Sequence, residues 1–413
     1  PKDLDSKEAG YQQASSKGMA RRFDATVFGA TGFTGRLIAL HIARTQQFPA
    51  NRLCLAGRSK EKLESVREEM RAIDGQYGVT ELLAASVESP PQVAAMVEMT
   101  RVVINCVGPF GVYGEIVVRE CASQGTHYVD ITGETKFIAE MIDKYDEVAR
   151  RNGATIIPAC GFDSIPADCG ALYTYQTLSM EDEVKGVEGL VSSRGQSMSY
   201  GTWNTIMSTI MTGNSADVLK DAQERQAASR NKNKVLLGGI RYSKEAKKWL
   251  LPQDFACDKF TTQRTFDLLD KQSVEYTHNL GVRKLWMLSL YVIVFVLFRV
   301  LTYFTVIRNL LKRIKGPGTG PSDDARAKSS FQISFYAYSA KKKYLGSCFL
   351  KGQLDAYDFT AVSASFAAKA LLDEDNIKFR GVVSPGAALG DDFLTRLVGS
   401  DDRLTLEGHP AVE

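Results

Sequence analysis

The sequence predicts an α/β protein: a Rossmann-type doubly wound parallel sheet joined to a second α/β domain that contains a mostly antiparallel sheet and a hydrophobic insertion. Three observations carry that prediction. Short apolar runs alternate with helical stretches through the first third of the chain. A turn with glycines at 29, 32 and 35 follows the first of these runs. Beyond residue 172 the rhythm changes to longer alternating segments, interrupted by an apolar stretch at 285–307.

FDATVF at 23–28 reads as a strand, and GRLIALHIAR after it places Leu37, Ile38, Leu40 and Ile42 at helical spacing. A second strand, RLCLAG, ends at Gly57, and SKEKLESVREEMRAI opens on a serine cap with charges on its exposed face. ELLAAS, RVVINCVG and THYVDITG continue the pattern. Strands alternating with helices imply parallel pairing. Farther on, VKGVEGLVSS, SFQISFYAYSA and KKYLGSCFLKG read as strands of an antiparallel sheet, while FTAVSASFAAKALLDE and RGVVSPGAALGDDFLTRLVG return to the first style. The predicted organisation is a flexible arm at 1–20, a discontinuous nucleotide domain at 21–172 and 355–413, and a substrate domain at 173–354 with a Gly/Pro linker at 315–324.

Composition narrows the function. With 44% hydrophobic and 24% charged residues the chain is globular, neither disordered nor built of many membrane spans. The 51 basic residues nearly balance the 48 acidic ones, so no general nucleic-acid affinity is expected. The 7 cysteines are scattered, odd in number and lack a C-x-x-C pair, which argues against a disulfide framework or a metal site and points to a reducing, intracellular setting. The first 22 residues carry acids and no apolar core, unlike a secretory signal.

The turn GATGFTG is the chemical centre of the sequence. Gly29 permits the tight turn, Gly32 lets the backbone approach a pyrophosphate and Gly35 allows close packing of helix on strand. Ala30, Thr31, Phe33 and Thr34 between them present backbone N–H groups at a helix N-terminus. At the end of the second strand an acid would bind the ribose 2′-hydroxyl of NAD(H); here stand Gly57, Arg58, Ser59 and Lys60, which suit a 2′-phosphate. NADP(H) is therefore favoured. In NCVGPFGVYG, Cys106, Val107 and Gly108 are candidate neighbours of the nicotinamide half. Tyr113 and Phe110 are candidate pocket walls; Phe110 reads equally as core, and Tyr113, between Gly111 and Gly114, reads as a loop residue. No proton-transfer constellation stands out. Of the four histidines only His127 falls near the expected cleft, and each reads as a packing or surface residue.

FGATGFTG, AGRSKEKL, VINCVGPF with YGE, YVDITGE, GFDSIPADCG, GTWNT and GVVSPGAAL, in that order along almost the whole chain, resemble the saccharopine dehydrogenase-like oxidoreductase family, in its membrane-associated branch, and more distantly the trans-acting enoyl reductases. The resemblance implies a Rossmann domain interrupted by an α/β substrate domain, use of NADP(H) or NAD(H), and dimerisation through the second domain; it defines no substrate. It places Asp130, Gly133, Glu134, Gly161, Phe162, Asp163, Ser164, Pro166 and Asp168 along the cleft, and brings Gly201, Thr202 and Trp203 toward the substrate. Tyr113, Asp130 and Thr202 become the candidate catalytic residues. Asp163 reads equally as a helix cap, with Pro166 in the first turn. Two positions depart from the family pattern. Thr135 stands where proline is common, and Ser86 replaces an acid at the end of the third strand, weakening an adenine-side contact.

In the apolar segment 285–307 the only charge is Arg299. A helix of that length would extend about 35 Å against a bilayer core of about 30 Å. Arg283 and Lys284 precede it, Arg308, Lys312, Arg313 and Lys315 follow, and aromatic residues lie toward its ends. The off-centre arginine favours a shallow hairpin or interfacial helix over a clean span; a buried dimer-interface helix is the competing reading. Strands of one domain are predicted on both sides, which also opposes a single span. Together these readings describe a membrane-associated NADP(H)-dependent oxidoreductase with an apolar, lipid-like acceptor, as a homodimer or a subunit of a membrane complex. Lipid droplet, endoplasmic reticulum and mitochondrial inner membrane all fit. The alternative is a catalytically silent scaffold or accessory subunit with the same fold.

The missing acid yields a direct expectation. Arg58→Ala is predicted to weaken NADPH binding by roughly 1.5 to 3 kcal/mol, the scale of a charge-assisted hydrogen bond, and to leave NADH binding nearly unchanged. Calorimetry with both cofactors measures this; equal affinity of the unmodified protein for the two would refute it.

Overall fold

The computed structural model describes residues 21–179, 183–195, 197–203, 239–253, 257–304 and 318–411, with isolated positions between them. The arm expected at 1–20 and the residues Asn204 and Thr205 of the GTWNT motif lie outside the described residues.

Strands β1 (Phe23–Phe28), β2 (Leu53–Gly57), β3 (Glu81–Ala84), β4 (Thr100–Asn105) and β5 (His127–Asp130) follow the predicted apolar runs, and β6 (Thr155–Ile157) adds a strand after them. Helices α1 (Phe33–Thr45), α2 (Lys60–Ile73), α3 (Pro90–Glu98), α4 (Phe110–Gln124) and α5 (Thr135–Asn152) connect them. All pair in parallel, and β13 (Gly381–Val382), from far downstream, adds a seventh strand in the order β13-β6-β5-β4-β1-β2-β3. Burial on both faces explains the largely apolar character of the inner strands. One face packs Leu37, Ile38 and Ile42 of α1 against the sheet; the other packs Val117, Val118 and Cys121 of α4 with Phe137 of α5. Because β1 lies between β2 and β4, the strand order reverses there, which opens a crevice at the carboxyl ends of β1 and β4.

The second sheet has the order β14-β12-β11-β7-β10-β9-β8. Its strands are β7 (Gly186–Arg194), β8 (Arg241–Ser243), β9 (Lys248–Pro252), β10 (Glu275–Val282), β11 (Ser330–Tyr338), β12 (Tyr344–Gly352) and β14 (Leu404–Pro410). Only β7 and β10 run parallel; the other pairs are antiparallel. Helices α6 (Ile165–Leu178) and α7 (Cys257–Leu268) cover it. A helix α8 (Leu285–Tyr303) leaves the sheet after β10, and a short α9 (Asp323–Ala327) precedes β11. The chain closes with α10 (Ala356–Ala370), which packs on α1, then β13, α11 (Pro385–Leu389), α12 (Phe393–Gly399) and β14.

Three organisational expectations change. The boundary at 172 falls inside α6, whose Gly170 lies where any side chain would strike the Phe335 ring of β11, so this helix belongs to the second sheet. Residues 404–410 leave the nucleotide domain and pair with β12, where Lys351 holds Glu407 at 2.7 Å. LTLEGHP alternates over too few residues, and ends in proline too soon, to announce itself as a strand. The described part of the expected linker at 315–324 is docked: Gly320 lies against the Phe33 ring, Tyr200 N–H donates to the Thr319 carbonyl at 2.8 Å, and Ser322 caps α9.

Asp168 ties α6 to the returning chain. It is fully buried and accepts the Gly386 N–H at 2.8 Å, so GFDSIPAD and SPGAAL, remote in sequence, meet through one hydrogen bond. Thr265 and Ser384 bond beside it at 2.7 Å. Burial pushes the Asp168 carboxyl up to about 7. The folded value thus lies above the unfolded one of about 3.9, so this group favours the folded state fully below pH ~4 and loses that contribution as the pH rises to about 7. Asp168→Asn, which can still accept from Gly386, is predicted to reduce the fall in unfolding free energy between pH ~4 and ~8 by a few kcal/mol. Denaturant titrations of both proteins across that range measure it, and parallel pH profiles would refute it.

Candidate cofactor and substrate site

The glycine turn sits at the carboxyl end of β1, and each glycine meets a different constraint. Gly29 has φ +86°, and a side chain there would press on Val107 and the Cys106 backbone at 3.0 to 3.1 Å, so the loop after β4 runs directly over the turn. A side chain on Gly35 would fall on the Gly29 carbonyl, which makes this glycine the one that seats α1 on β1. At Gly32 an added carbon would meet only the Gly29 oxygen, at 3.2 Å, and its other side is open. Helix α1 has no side-chain cap and no acid in its first turn. Uncapped N–H groups, the positive end of the helix and an open glycine suit a pyrophosphate. Ala30 is buried, while Thr31, Phe33 and Thr34 are partly exposed around the turn.

At the end of β2, Gly57 packs beside Leu63 and Thr31. Arg58 is exposed in the turn that follows, with no acid at the strand end, the arrangement a 2′-phosphate requires. The Ser59 hydroxyl is already engaged, accepting from the Lys62 N–H at 3.3 Å and donating to Glu61 at 2.8 Å. Ser59 is therefore a helix cap before it is a ligand contact.

The loops after β4, β5 and β6 are fixed by one buried network. Asn105 accepts the Val107 N–H at 3.0 Å and donates to the Tyr128 hydroxyl at 3.1 Å; that hydroxyl donates to Asp130 at 2.7 Å. The other Asp130 oxygen accepts the N–H groups of Thr132 at 3.0 Å and Ala159 at 2.8 Å. Ala159 adopts φ +61°, a left-handed conformation that this bond and the Cys160 N–H bond to the Asp130 carbonyl hold in place. Burial raises the Asp130 carboxyl to about 6, against its hydrogen bonds, which lower it. With no exposure and both oxygens taken, Asp130 positions the loops and does not face a substrate.

The other expected residues separate in the same way. Glu134 accepts the N–H groups of Phe110 and Gly111 at 2.8 and 3.0 Å and so caps α4. Phe110 is buried against Phe137 and is core, not a pocket wall. Tyr113 lies in the first turn of α4, not on a loop, and is 38% exposed. The Gly108–Pro109 peptide before that helix is cis. Cys106 is partly buried, with its N–H donating to the Phe28 carbonyl at 2.8 Å. Asp163 does not cap α6; the cap position is Ser164, and the Asp163 carboxylate lies over Gly133. Thr202 bonds the Tyr357 hydroxyl at 2.6 Å, and that hydroxyl also accepts the Ser199 N–H at 2.6 Å. Tyr357 in turn stacks edge-on against Phe33 at 5.2 Å, so the GTW turn reaches the glycine turn through one phenol. Sequence reasoning missed Tyr357 and Asn105. A polar residue ending an apolar strand could have signalled Asn105; nothing local marks Tyr357.

His127 sits at the amino-terminal end of β5, away from the crevice. Its Nδ1 accepts the Thr155 N–H at 3.1 Å and its Nε2 bonds Glu374 at 2.8 Å. A cavity of about 410 Å³ lies beside it, lined by Arg21, Arg52 and Arg101. These arginines spend donors on the carbonyls of Val97, Thr100, Gln124, Arg22 and Leu372, which makes the cluster a clasp for helix and strand ends.

Parallel sheet, glycine turn and acid-free β2 end define the class: a dinucleotide-dependent oxidoreductase of the Rossmann type. Residues 25–157 match the family model of the saccharopine dehydrogenase NADP binding domain. The chain is 30% identical to the saccharopine dehydrogenase-like oxidoreductase of Rattus norvegicus over 94% of its own length and 96% of that protein. It is likewise 30% identical to a trans-acting enoyl reductase of Mycobacterium bovis, over 92% of this chain and 96% of the relative. In fold it resembles saccharopine dehydrogenase (L-Glu forming) from Saccharomyces cerevisiae, with a TM-score of 0.56 and 11% identity over 93% of this chain and 99% of that one. The chain belongs to the saccharopine dehydrogenase-like oxidoreductase family.

The three glycines are expected to respond differently. Gly32→Val should fold yet lose NADPH binding by at least about tenfold, since the branched chain fills the open side of the turn. Gly35→Ala should instead destabilise the protein by about 1 to 3 kcal/mol, the scale of overpacking. Thermal melts paired with NADPH titration distinguish the two; wild-type NADPH affinity in Gly32→Val would place the phosphates elsewhere.

Proposed function

We propose that this protein is an NADP(H)-dependent oxidoreductase that α8 holds on an intracellular membrane, and that its acceptor is apolar and lipid-like. The reading rests on α8. Leu285, Trp286, Leu290, Val292, Ile293, Val294, Val296, Leu297 and Val300 are each 41 to 61% exposed, so the helix presents apolar side chains on every face. Water does not tolerate so large an apolar surface without a partner. The 19-residue helix is about 28 Å long, close to the thickness of a bilayer core. Basic residues flank it in the sequence, at 283, 284, 308, 312, 313 and 315, as expected beside anionic headgroups.

Topology favours attachment from one side. Both β10 and β11 pair with β7, so the chain leaves and re-enters the same sheet around the segment. The Leu311 carbonyl accepts from Trp203 Nε1 at 2.8 Å, which brings the chain back within fourteen residues of Leu297. Even as a helix, the few residues between Tyr303 and Leu311 would span only about 12 Å, too little to recross a bilayer core of about 30 Å, so a shallow seat on one leaflet fits better than a complete crossing.

Bound NADP(H) would supply the hydride chemistry, in either direction; the chain supplies binding, orientation and exclusion of water. Of the three candidate catalytic residues, Tyr113 alone has an exposed side chain not committed to the loop network or to Tyr357, and it is our choice for the residue facing the acceptor. The lipid-like class follows from the position of α8, whose Phe298 stacks on Trp203 at 6.3 Å, next to the Thr202–Tyr357 pair.

Full-length protein mixed with phosphatidylcholine–phosphatidylserine vesicles is expected to float with them on a density gradient. A variant with 285–307 replaced by a short Gly/Ser linker should stay in the soluble fraction and still bind NADPH. A wild type that stays soluble without detergent, forms dimers and ignores vesicles would overturn the membrane reading in favour of a helix buried between copies.

A further inference from the structure

The membrane helix and the cofactor turn are joined by a continuous set of contacts. Phe298 of α8 meets the Trp203 indole at 6.3 Å, and the Trp203 Nε1–H donates to the Leu311 carbonyl at 2.8 Å, just beyond the same helix. Residue 202, next along, bonds Tyr357, and the Tyr357 ring meets Phe33 edge-on at 5.2 Å. A second route runs through the strap that follows the helix. Thr319 is held by the Tyr200 N–H, Gly320 lies flat against the Phe33 ring, and the Arg326 guanidinium stands 5.9 Å above that ring. Arg326 is itself nearly buried and locked on Asp358 at 3.1 and 3.2 Å. Both routes end on Phe33, the first residue of α1 and the neighbour of Gly32.

We propose that membrane seating and dinucleotide binding are thermodynamically linked through Phe33, each raising the affinity of the other. The linkage rests on the membrane reading above. The physical reason is ordering. The N–H groups of the glycine turn bind phosphate well only when Phe33 holds one position, and the Phe33 ring, half-buried at the edge of the core, is held on its outer side by Tyr357 and the strap. The Tyr357 hydroxyl is in turn bonded by Ser199 and Thr202, and Trp203, whose backbone N–H donates to the Ser199 carbonyl at 3.0 Å, meets Phe298 of α8. A bilayer that takes up the apolar surface of α8 fixes this series from its far end, so a dinucleotide arriving afterwards pays less to order the turn. By reciprocity a bound dinucleotide must strengthen membrane attachment by the same factor.

The test uses the full chain, NADPH, and vesicles of phosphatidylcholine and phosphatidylserine. NADPH affinity, read by fluorescence, is expected to rise about five- to tenfold when vesicles are present, the lower part of the usual coupling range. Saturating NADPH should lower the lipid concentration for half-flotation by the same factor. Tyr357→Phe keeps the ring on Phe33 but removes the bonds to Ser199 and Thr202, and Thr202→Val removes one of them from the other side. In each variant the ratio of affinities with and without vesicles should fall toward one. Wild-type protein that floats with unchanged NADPH affinity overturns the linkage and leaves the membrane reading standing. Protein that fails to float overturns both. A full ratio retained by both folded variants overturns the route through Tyr357.

Discussion

A single buried carboxylate organises the cleft. Asp130 accepts from Tyr128, Thr132 and Ala159, and through Tyr128 and Asn105 it reaches Val107, so the loops that leave β4, β5 and β6 share one hydrogen-bonded centre. The glycine turn depends on it in turn, since Val107 and Cys106 form the surface against which Gly29 is pressed. A buried acid is costly to ionise, and this one is compensated by the dipoles of three donors, not by a cation. Its environment therefore preserves shape in preference to supplying a charge.

The second sheet solves a related problem by ion pairing. Glu188, near the start of β7, is buried and paired with Arg241, and the Tyr338 hydroxyl donates to it at 3.3 Å. Burying such a pair contributes little net stability, but breaking it is expensive, which fixes the register of β7 against its neighbours. That register matters because β7 borders both β10 and β11, the strands from which the apolar helix departs and to which its chain returns.

Most of the Rossmann sheet was legible in the sequence because its evidence is local: FDATVF, RLCLAG and RVVINCVG carry their own periodicity, and GATGFTG carries its own geometry. Residues whose role depends on a distant partner were read less well. Asp130 looked catalytic because an acid after a strand at a cleft usually is, and only the positions of Tyr128 and Ala159 show that its oxygens are already used. Phe110 became core because Phe137, on the next helix, closes over it. Tyr357 left no trace, its partners Phe33 and Thr202 lying far away in sequence on two different elements. β14 was misplaced because an edge strand of seven residues with three partly or fully exposed polar positions resembles a polar tail. The apolar segment, by contrast, was read from its length, its single charge and its basic and aromatic flanks, all of them local, and in the structure its side chains are largely exposed.

The return of the chain at its end has a consequence for synthesis. The first sheet has its strands β1 to β6 by residue 157, yet its edge partner β13 comes only at 381–382, and the edge of the second sheet is closed only by 404–410. While the chain grows from its amino terminus, β6 and β12 are open edges, able to pair with any exposed strand nearby. The final thirty or so residues therefore act as a late seal on both halves. A nascent chain that stalls before them presents two sticky margins along with an exposed apolar helix.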